Sequence, residues 1–510
     1  MSNSMSSTDN NNNFILQHSL SYRQAFYSSN RTPFLLPQGL IPSFFIPLLY
    51  LSIPHKKNPW LYYSRYPITF LITYLNYHML KTVSSLNEAI GYAVGLMASW
   101  GTIWIWCWLI FYDAQKECKR VVRVLKKPRN RKKEKEENPL EEQKPIDESN
   151  HPEKYEYIWE SYPFTSNWFH RLEWSTSLLL NFRGIGWNWS PQNIFPSFVY
   201  NPQETVVNLA TIPLKTKPGY TRSLTYTSFL RSRLTIIILS YLYLDLWTII
   251  FRQDPYFIYG PTTHTQPLSP FLAWLPHPLL SGIQSLAALT GIASALLLYT
   301  NTYQLLSISL LRGTSSELWQ YPPVFGSFNN ILRKGLRGFW GAYWHQTFRV
   351  GFTAPIKPLS IKKREIKMLA EMLVAFFLSG IIHACGGTTS AFRESTWFWG
   401  SVWFFNLQGV GILLQQGLIS LGVGKGYGKR VKEVGNLLFV MAWLHSTCWG
   451  FINDMSKAGV WMFEPIPVSI LRFVFGWRAT EGDEGWWRWE GEYGVEWYWG
   501  ERWWQSGIKI

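Results

Sequence analysis

Long apolar stretches alternate with polar connections along the chain, and most of them approach the roughly 20 residues that cross a bilayer as a helix. The stretches cover residues 34–53, 66–80, 89–112, 234–251, 283–306, 366–384, 397–421, 434–452 and 460–476. Inside a bilayer the backbone polar groups of a segment must be paired within it, which favours helices. The pattern therefore predicts an all-α polytopic integral membrane protein with eight or nine transmembrane helices.

Composition favours a membrane protein over a set of soluble domains. Only 16% of the 510 residues are charged, whereas a soluble protein has about 25%. Aromatic residues reach 17%, including 29 Trp. The four cysteines are too few and too scattered for a disulfide framework, and they show none of the short spacings that ligate zinc. No metal site is predicted.

The formal charge of +16 is concentrated in residues 116–135, which hold eleven basic side chains directly after the third apolar stretch. Basic clusters beside a span fix its orientation and contact anionic cytosolic lipid. We favour this interpretation over nucleic-acid binding, so the predicted partner is membrane lipid and no nucleic acid. The same rule, applied to the later loops, predicts a lumenal N-terminus and a cytosolic C-terminus.

These features divide the chain into five parts. A disordered tail (1–33) precedes the N-terminal transmembrane helices (34–112). Residues 113–233 form a cytosolic loop, basic and flexible at first and aromatic later, and residues 234–476 form the membrane domain with the candidate chemistry. The last part (477–510) interleaves Trp with carboxylates, which suits either an interfacial or lid-like segment or a tail without a catalytic role.

His383 lies near the end of an apolar stretch of membrane length. An ionisable side chain at membrane depth is costly and usually functional, and imidazole is well suited to proton transfer near neutral pH. Polar side chains in the same or other predicted spans indicate a polar cavity around it; they are Glu371, Asn406, Gln408 and Asp245. His445, a second intramembrane histidine, has no partner motif and ranks below His383.

A second histidine, His345, lies 38 residues upstream in an aromatic and basic segment. On a helix over residues 336–349, the side chains of Arg337, Trp340 and Trp344 share a face, with His345 beside it. The basic ends would suit the phosphates of a cytosolic ligand. Periodicity alone favours an amphipathic interfacial helix anchored by Trp and Arg.

These segments together resemble a known family. The residues that carry the likeness are RGFWG at 337–341 with WHQ at 344–346, the apolar segment 376–387 with His383, RGIGWNW at 183–189, and FFNLQ at 404–408. They resemble the wax-synthase-like branch of the membrane-bound O-acyltransferases, and most closely the fungal members that acetylate terpenoid or meroterpenoid alcohols. One departure is Ala342 and Tyr343, where the family often has two basic residues.

The resemblance implies a helix bundle with a central tunnel in which His383 and His345 are catalytic. It implies acyl-CoA, in particular acetyl-CoA, as co-substrate, a hydrophobic terpenoid or fatty alcohol as acceptor, and no bound cofactor. The implied substrate-binding residues are Arg337, Trp340, Trp344, Gln346, Arg349 and Asn406. His383 would take the hydroxyl proton as the alcohol attacks the thioester, without an acyl-enzyme on Cys385.

Three alternatives stay open at this point. A wax synthase would join long acyl chains to fatty alcohols by the same chemistry. A proton-coupled transporter would use His383, Asp245 and Glu371 as a relay. A membrane scaffold would use the basic run and the Trp-rich tail to bind lipids or partners. For each, an endomembrane such as the endoplasmic reticulum is the expected location.

Overall fold

The computed structural model describes residues 7–55, 58–126, 155–261, 270–477, 485–489 and 495–509, and most of them are helical. The helices are α1 (Ser7–Ser28), α2 (Ile46–Ser52), α3 (Pro59–Tyr63), α4 (Arg65–Thr82), α5 (Glu88–Trp106), α6 (Ala114–Glu117), α7 (Trp168–Leu180), α8 (Tyr226–Phe251), α9 (Pro255–Tyr259), α10 (Pro270–Ala273), α11 (His277–Leu310), α12 (Asn329–Gly338), α13 (Arg349–Thr353), α14 (Arg364–Thr389), α15 (Phe398–Ser420), α16 (Lys429–Thr447), α17 (Trp449–Lys457) and α18 (Ile470–Phe475).

Five helices of the described residues are long and apolar enough to cross a membrane. They are α5 with its π-helical extension to Phe111, α8, α11, α14 and α15. Each coincides with one of the predicted apolar stretches. The prediction of a helical protein with several membrane spans is therefore confirmed, whereas the count of eight or nine is not.

The four remaining stretches form shorter or less apolar elements. Residues 38–52 form a short apolar helix that includes α2, residues 66–80 fall in α4, and residues 434–452 are divided between α16 and α17. Residues 460–476 are not a continuous helix: a 3₁₀ turn at Val460–Met462 is separated from α18 by Pro465 and Pro467. Proline removes a backbone donor and clashes with the preceding turn, which explains the break.

Three small sheets correct the all-α prediction. The strands are β1 (Thr32–Pro33), β2 (Leu35–Leu36), β3 (Val83–Ser84), β4 (Lys119–Leu125), β5 (Tyr155–Ser161), β6 (Val206–Val207), β7 (Glu496–Tyr498) and β8 (Gly507–Lys509). They pair as β1 with β3, as β2–β8–β7, and as β4–β5–β6. The described residues of the predicted cytosolic loop, 113–233, thus include an ordered sheet as well as helices. The rest of its charged run, 127–154, lies outside the described residues.

The N-terminal part also differs from the predicted disordered tail. Residues 7–28 form α1, and the side chains of Tyr22 and Phe26 are buried against Ala391. Arg31, which follows, donates hydrogen bonds to the carbonyl oxygens of Thr388 (2.8 Å) and Val83 (3.3 Å). Polar composition predicted disorder because it does not reveal the apolar partners that the later chain supplies.

Helix α14 lies between α5 and α15, and small residues allow this close packing. A Cβ on Gly380 would lie 2.8 Å from the Cα of Val402 on α15, and one on Gly95 of α5 would overlap the backbone of Cys385. Small residues at helix interfaces let backbones approach closely in membrane proteins. This packing fixes the depth and rotation of the α14 segment that carries His383.

The two ends of the helix bundle carry different strands. At one end, the basic strand β4 contacts the segment after α11, where Arg123 forms an ion pair with Glu317 at 2.7 Å. At the other end, Ser84 of β3 donates to the carbonyl of Thr389 at 2.6 Å. The C-terminal strand β8 pairs with β2, next to β1 and β3, so it lies at the end opposite to β4. The predicted cytosolic C-terminus is therefore incompatible with a cytosolic basic strand.

Candidate active site

His383 lies on α14 inside a cage of aromatic rings. Its imidazole stacks on Phe405 of α15, with ring centroids 4.8 Å apart and an interplanar angle of 9°, and it meets the ring of Phe451 of α17 edge-on at 5.1 Å. The hydroxyl of Tyr92 on α5 donates to the backbone carbonyl of His383 at 3.0 Å. Two helices thus contact the imidazole, and a third binds the backbone of the same residue.

His345 lies in a turn rather than on the helix predicted for residues 336–349. Helix α12 is kinked at Gly335, where φ is +56°, and it ends in a π-helical turn at Phe339–Tyr343. Trp344 is extended, with φ −60° and ψ 150°. The predicted helical face of Arg337, Trp340 and Trp344 is therefore interrupted, and His345 leaves the helix direction.

Gln346 holds this turn together. Its side-chain Nε2 donates to the backbone carbonyls of Trp340 (2.8 Å) and Trp344 (2.7 Å), and its Oε1 accepts from Nη1 of Arg349 at 2.8 Å. The side chain is only 6% exposed. The resemblance implied that Gln346 binds substrate, but in the structure both ends of its amide are bonded within the turn. We therefore assign Gln346 to positioning its neighbour His345.

The structure brings the two predicted catalytic histidines together. Burial, and after it the positive charges of His383 and Arg183, lower the pKa of His345 to about 3. His345 is thus neutral at physiological pH and close enough to His383 to respond to its charge. The Nδ1 atoms of both rings are buried without a hydrogen-bond partner, yet both side chains keep some exposed surface. Two imidazoles that each keep a buried, unpartnered ring nitrogen are suited to proton transfer.

The predicted tryptophans lie along the same aromatic region. Nε1 of Trp340 donates to Oε1 of Gln408 at 3.2 Å, and its ring contacts Phe376 and Phe405 at 5.7 and 6.1 Å between centroids. The ring of Trp344 lies 5.3 Å from that of His345. Trp340 therefore connects the turn of His345 to the cage around His383.

The other predicted binding residues have more peripheral positions. Arg337 is exposed on α12, and Arg349 is half-buried and pinned by its hydrogen bond to Gln346. Asn406 uses its Nδ2 to donate to the carbonyl of Val402 on its own helix at 2.8 Å. Their proposed contacts with substrate stay predictions.

Most of the polar residues predicted to surround His383 have other partners. Asp245, fully buried, accepts from the hydroxyl of Ser469 (2.5 Å) and lies 3.9 Å from Nη1 of Arg472. Glu371 lies 3.9 Å from Nζ of Lys367. The ring neighbours of His383 are instead aromatic, and a relay through Asp245 and Glu371 is not supported.

The second-ranked histidine is also accounted for. Nδ1 of His445 lies 2.8 Å from the hydroxyl of Ser285 on α11. This pair connects two helices by a side-chain hydrogen bond, as polar residues in membrane bundles commonly do. His445 thus has a structural role and a position that makes it a useful control for His383.

Sequence reasoning missed three residues of the site. Tyr92 and Phe451 gave no signal, because an aromatic residue in an apolar stretch does not indicate which ring meets a histidine. Arg183 lay in the noticed segment 183–189, but only the structure shows that its charge acts on His345. The segment's two glycines were the available signal.

Comparison with known proteins finds relatives of this chain among acyltransferases. Residues 321–407, which include both histidines, match the family described as the membrane bound O-acyl transferase family. The predicted resemblance is confirmed, and with it the enzyme class: the chain is related to fungal proteins named acetyltransferase and O-mevalon transferase.

The chain is similar to several fungal proteins. Acetyltransferase ple2 of Rhodocybe pseudopiperita is 28% identical over 323 residues, or 59% of this chain and 72% of that protein. Acetyltransferase atnC of Arthrinium sp is 24% identical over 282 residues, or 50% and 55%. O-Mevalon transferase yanI of Aspergillus niger is 26% identical over 269 residues, or 48% and 52%. The alignments thus span only about half of the latter two proteins. No solved structure matches the chain.

Proposed function

We propose that the protein transfers an acetyl group from acetyl-CoA to the hydroxyl of a hydrophobic alcohol, a terpenoid or meroterpenoid of secondary metabolism. One observation carries the proposal: His345 and His383 come from separate segments and lie close enough for the charge of one to act on the other. Both keep an unpartnered Nδ1 atom, and both lie among aromatic rings. Aromatic walls suit an apolar polycyclic acceptor, because they bury its surface. The relatives named acetyltransferases support the choice of acyl group.

The chemistry needs one base and no covalent acyl-enzyme. The imidazole of His383 accepts the hydroxyl proton while the alcohol oxygen bonds to the thioester carbon, and the carbonyl electron pair moves onto oxygen. When this tetrahedral intermediate collapses, the carbonyl re-forms and the carbon–sulfur bond breaks. The imidazolium then returns its proton to the CoA thiolate. His345 orients the donor or contacts the developing oxyanion.

The two substrates would reach the histidines from different phases. Acyl-CoA is a polyanion, and the exposed Arg333, Lys334 and Arg337 on α12 would attract it at the basic end of the bundle. The apolar alcohol would enter from lipid. A tunnel joining the two routes, in an endoplasmic-reticulum or other endomembrane, completes this proposal.

The test uses microsomes that contain the protein, radiolabelled acetyl-CoA or palmitoyl-CoA, and a pool of hydroxylated terpenoids and fatty alcohols. We expect labelled ester from acetyl-CoA with the wild type and a loss of at least about 10²-fold with His383→Ala, the range for removing a general base. The matched control is His445→Ala, a second membrane-embedded histidine whose partner is Ser285. It should keep its activity.

Two results would count against the proposal. Ester formation that survives in His383→Ala, with equal amounts of folded protein, would remove the base from the mechanism. Ester made from palmitoyl-CoA and fatty alcohols but not from acetyl-CoA would replace the acetyltransferase with a wax synthase.

A further inference from the structure

Arg183 is a buried cation beside the histidine pair that the mechanism has not yet used. Its Nη1 and Nη2 donate to the backbone carbonyls of Pro322 (2.9 Å) and Pro323 (2.7 Å), and its guanidinium carbon lies 4.3 Å above the ring of Phe195. Its Nε is buried without a hydrogen-bond partner. A donor left unpaired in a protein interior is costly unless a ligand satisfies it.

The local sequence holds Arg183 in place through a tight turn. Gly184 and Gly186 adopt φ angles of +70° and +77°, which side chains rarely adopt. Oδ1 of Asn181 accepts from the backbone N of Gly184 at 2.8 Å, and its Nδ2 donates to the carbonyl of Ile185 at 3.0 Å. This brace explains the two glycines of the segment 183–189: they form the tight turn that directly follows Arg183.

A tyrosine hydroxyl lies in the same cluster. Tyr220 is 0% exposed, its hydroxyl has no hydrogen-bond partner, and its ring centroid is 5.7 Å from the guanidinium carbon of Arg183. Within the described part of the chain no carboxylate pairs with Arg183; the titratable groups that act on it are Tyr220 and Arg233. Burial lowers the pKa of Arg183 to about 10, so it remains cationic at neutral pH. Among the described residues, the cluster therefore holds a positive charge without a paired carboxylate. It also holds two donors without hydrogen-bond partners, Nε of Arg183 and the hydroxyl of Tyr220.

Aromatic contacts connect this cluster to the catalytic turn. Phe182, the neighbour of Arg183, lies 6.3 Å from the ring of Phe348, which lies 5.5 Å from that of His345. The charge of Arg183 reaches His345 and lowers its pKa. The cluster thus lies within electrostatic reach of the catalytic turn.

We propose that Arg183, with the hydroxyl of Tyr220, receives the negative charge that develops on the thioester oxygen during acyl transfer. This inference rests on the proposed function. The electron pair of the carbonyl moves onto oxygen when the alcohol adds and returns when the carbon–sulfur bond breaks, so the cluster stabilises charge and exchanges no proton. A preorganised cation at such an oxygen is worth more in a water-poor site than in solution. The CoA phosphates are ill suited to this position, because the thioester itself must lie at the histidines.

A bracing role for Arg183 is the competing explanation, and the chain offers a matched control for it. Arg233 is 2% exposed, donates to the carbonyl of Tyr321 at 2.8 Å, and also has an unpartnered Nε. It thus braces the same segment, 321–323, but its charge is not among those that act on His345. If Arg183 only braces this segment, substituting either arginine should lower kcat alike. If it stabilises charge in the reaction, only substitution of Arg183 should lower kcat.

The experiment measures kcat, KM for acetyl-CoA and melting temperature for Arg183→Gln, Tyr220→Phe and Arg233→Gln in purified full-length protein. We expect Arg183→Gln to lower kcat about 10²-fold, as removal of an oxyanion donor does, with little change in KM. Tyr220→Phe should lower kcat about tenfold without lowering the melting temperature, since it removes an unpartnered hydroxyl. Arg233→Gln should lower the melting temperature and keep kcat within about threefold.

A binding measurement tests whether Arg183 recognises negative charge, independently of the rate of acyl transfer. S-carboxymethyl-CoA places a carboxylate near the position of the thioester oxygen, and S-ethyl-CoA places none there. We expect the wild type to prefer the carboxymethyl compound and Arg183→Gln to lose that preference, with S-ethyl-CoA bound equally by both.

Two outcomes would overturn the inference while His383→Ala still abolishes activity, so that the proposed function stands. One is an unchanged kcat in Arg183→Gln; the other is an equal loss of kcat in Arg233→Gln. If Arg183→Gln does not fold, Tyr220→Phe decides: unchanged kcat and unchanged analogue preference reject the oxyanion role.

Discussion

Replacing Gln346 by Met should disable the catalytic turn without removing a catalytic group. The substitution keeps the volume of the side chain but removes the hydrogen bonds to the carbonyls of Trp340 and Trp344 and the bond from Arg349. Two neutral bonds contribute about 1 kcal/mol each and a bond to a charged group about 1.5–3 kcal/mol. The loss should therefore be about 4 kcal/mol, borne mainly by the segment 339–349.

The consequence for activity follows from the position of His345 between two of these anchors. A displacement of about 1 Å in a reacting group can reduce the rate about 10²-fold. We expect kcat of Gln346→Met to fall by about that factor, measured as ester formed per folded molecule in detergent. Melting temperature, followed by tryptophan fluorescence, reports the stability of the fold in the same samples.

Gln415 provides the control for this prediction. It is also buried, its Oε1 accepts from the backbone N of Leu336 at 2.9 Å, and its Nε2 donates to Oδ1 of Asn436 at 3.1 Å. Gln415→Met should lower the melting temperature but leave kcat within about threefold of the wild type. A folded Gln346→Met variant with wild-type kcat would refute the positioning role of Gln346.

Four further predictions follow from the structure. Cys385→Ala should keep kcat within about twofold, because direct transfer uses no thiol; loss of activity in a folded variant would instead indicate an acyl-enzyme. Gly380→Val should prevent the close packing of α14 on α15 and reduce the yield of folded protein, whereas Gly417→Ala, which meets nothing within 4 Å, should not; equal yields would disprove the packing argument. The folded-state pKa of His345, about 3, is below the usual 6.5, so its contribution to stability is present above pH 6.5 and is lost as pH falls toward 3. Melting temperatures of His345→Asn should show a weaker decline over that window, and an identical decline would contradict it. A glycosylation acceptor added after residue 510 should be modified in the lumen while one beside β4 is not; the reverse pattern would invert the assignment of the two ends.

The histidine pair could be predicted from the sequence, but its surroundings could not. His383 was visible as an ionisable residue in an apolar stretch, and His345 through its 38-residue separation within a family-like pattern. Residues 336–349 have helical periodicity throughout, but the positive φ of Gly335 and the hydrogen bonds of Gln346 divert the chain. Periodicity reports which side chains would share a face, and it does not detect a kink stabilised by tertiary contacts.

Charged residues gave the least reliable spatial predictions. Asp245 looked like part of the cavity at His383 because both lie in apolar stretches. Its ion-pair partner Arg472 lies 227 residues later, and Glu464 accepts from the same arginine at 3.2 Å. A buried charge requires a partner, but the linear sequence does not identify it. The same limitation hid the relation of Arg183 to His345.

The two histidines are held by different means, and this has a consequence for how the site responds to substrate. His383 lies on a helix packed on both sides, three residues from Gly380, so its backbone is fixed by the bundle. His345 lies on a turn whose position depends on the side chains of Gln346 and Arg349 and on the aromatic contact with Phe348. Adjustment on acyl-CoA binding should therefore occur at His345. Substitutions in the turn should alter KM for the donor as well as kcat, whereas substitutions around His383 should alter kcat and the choice of acceptor.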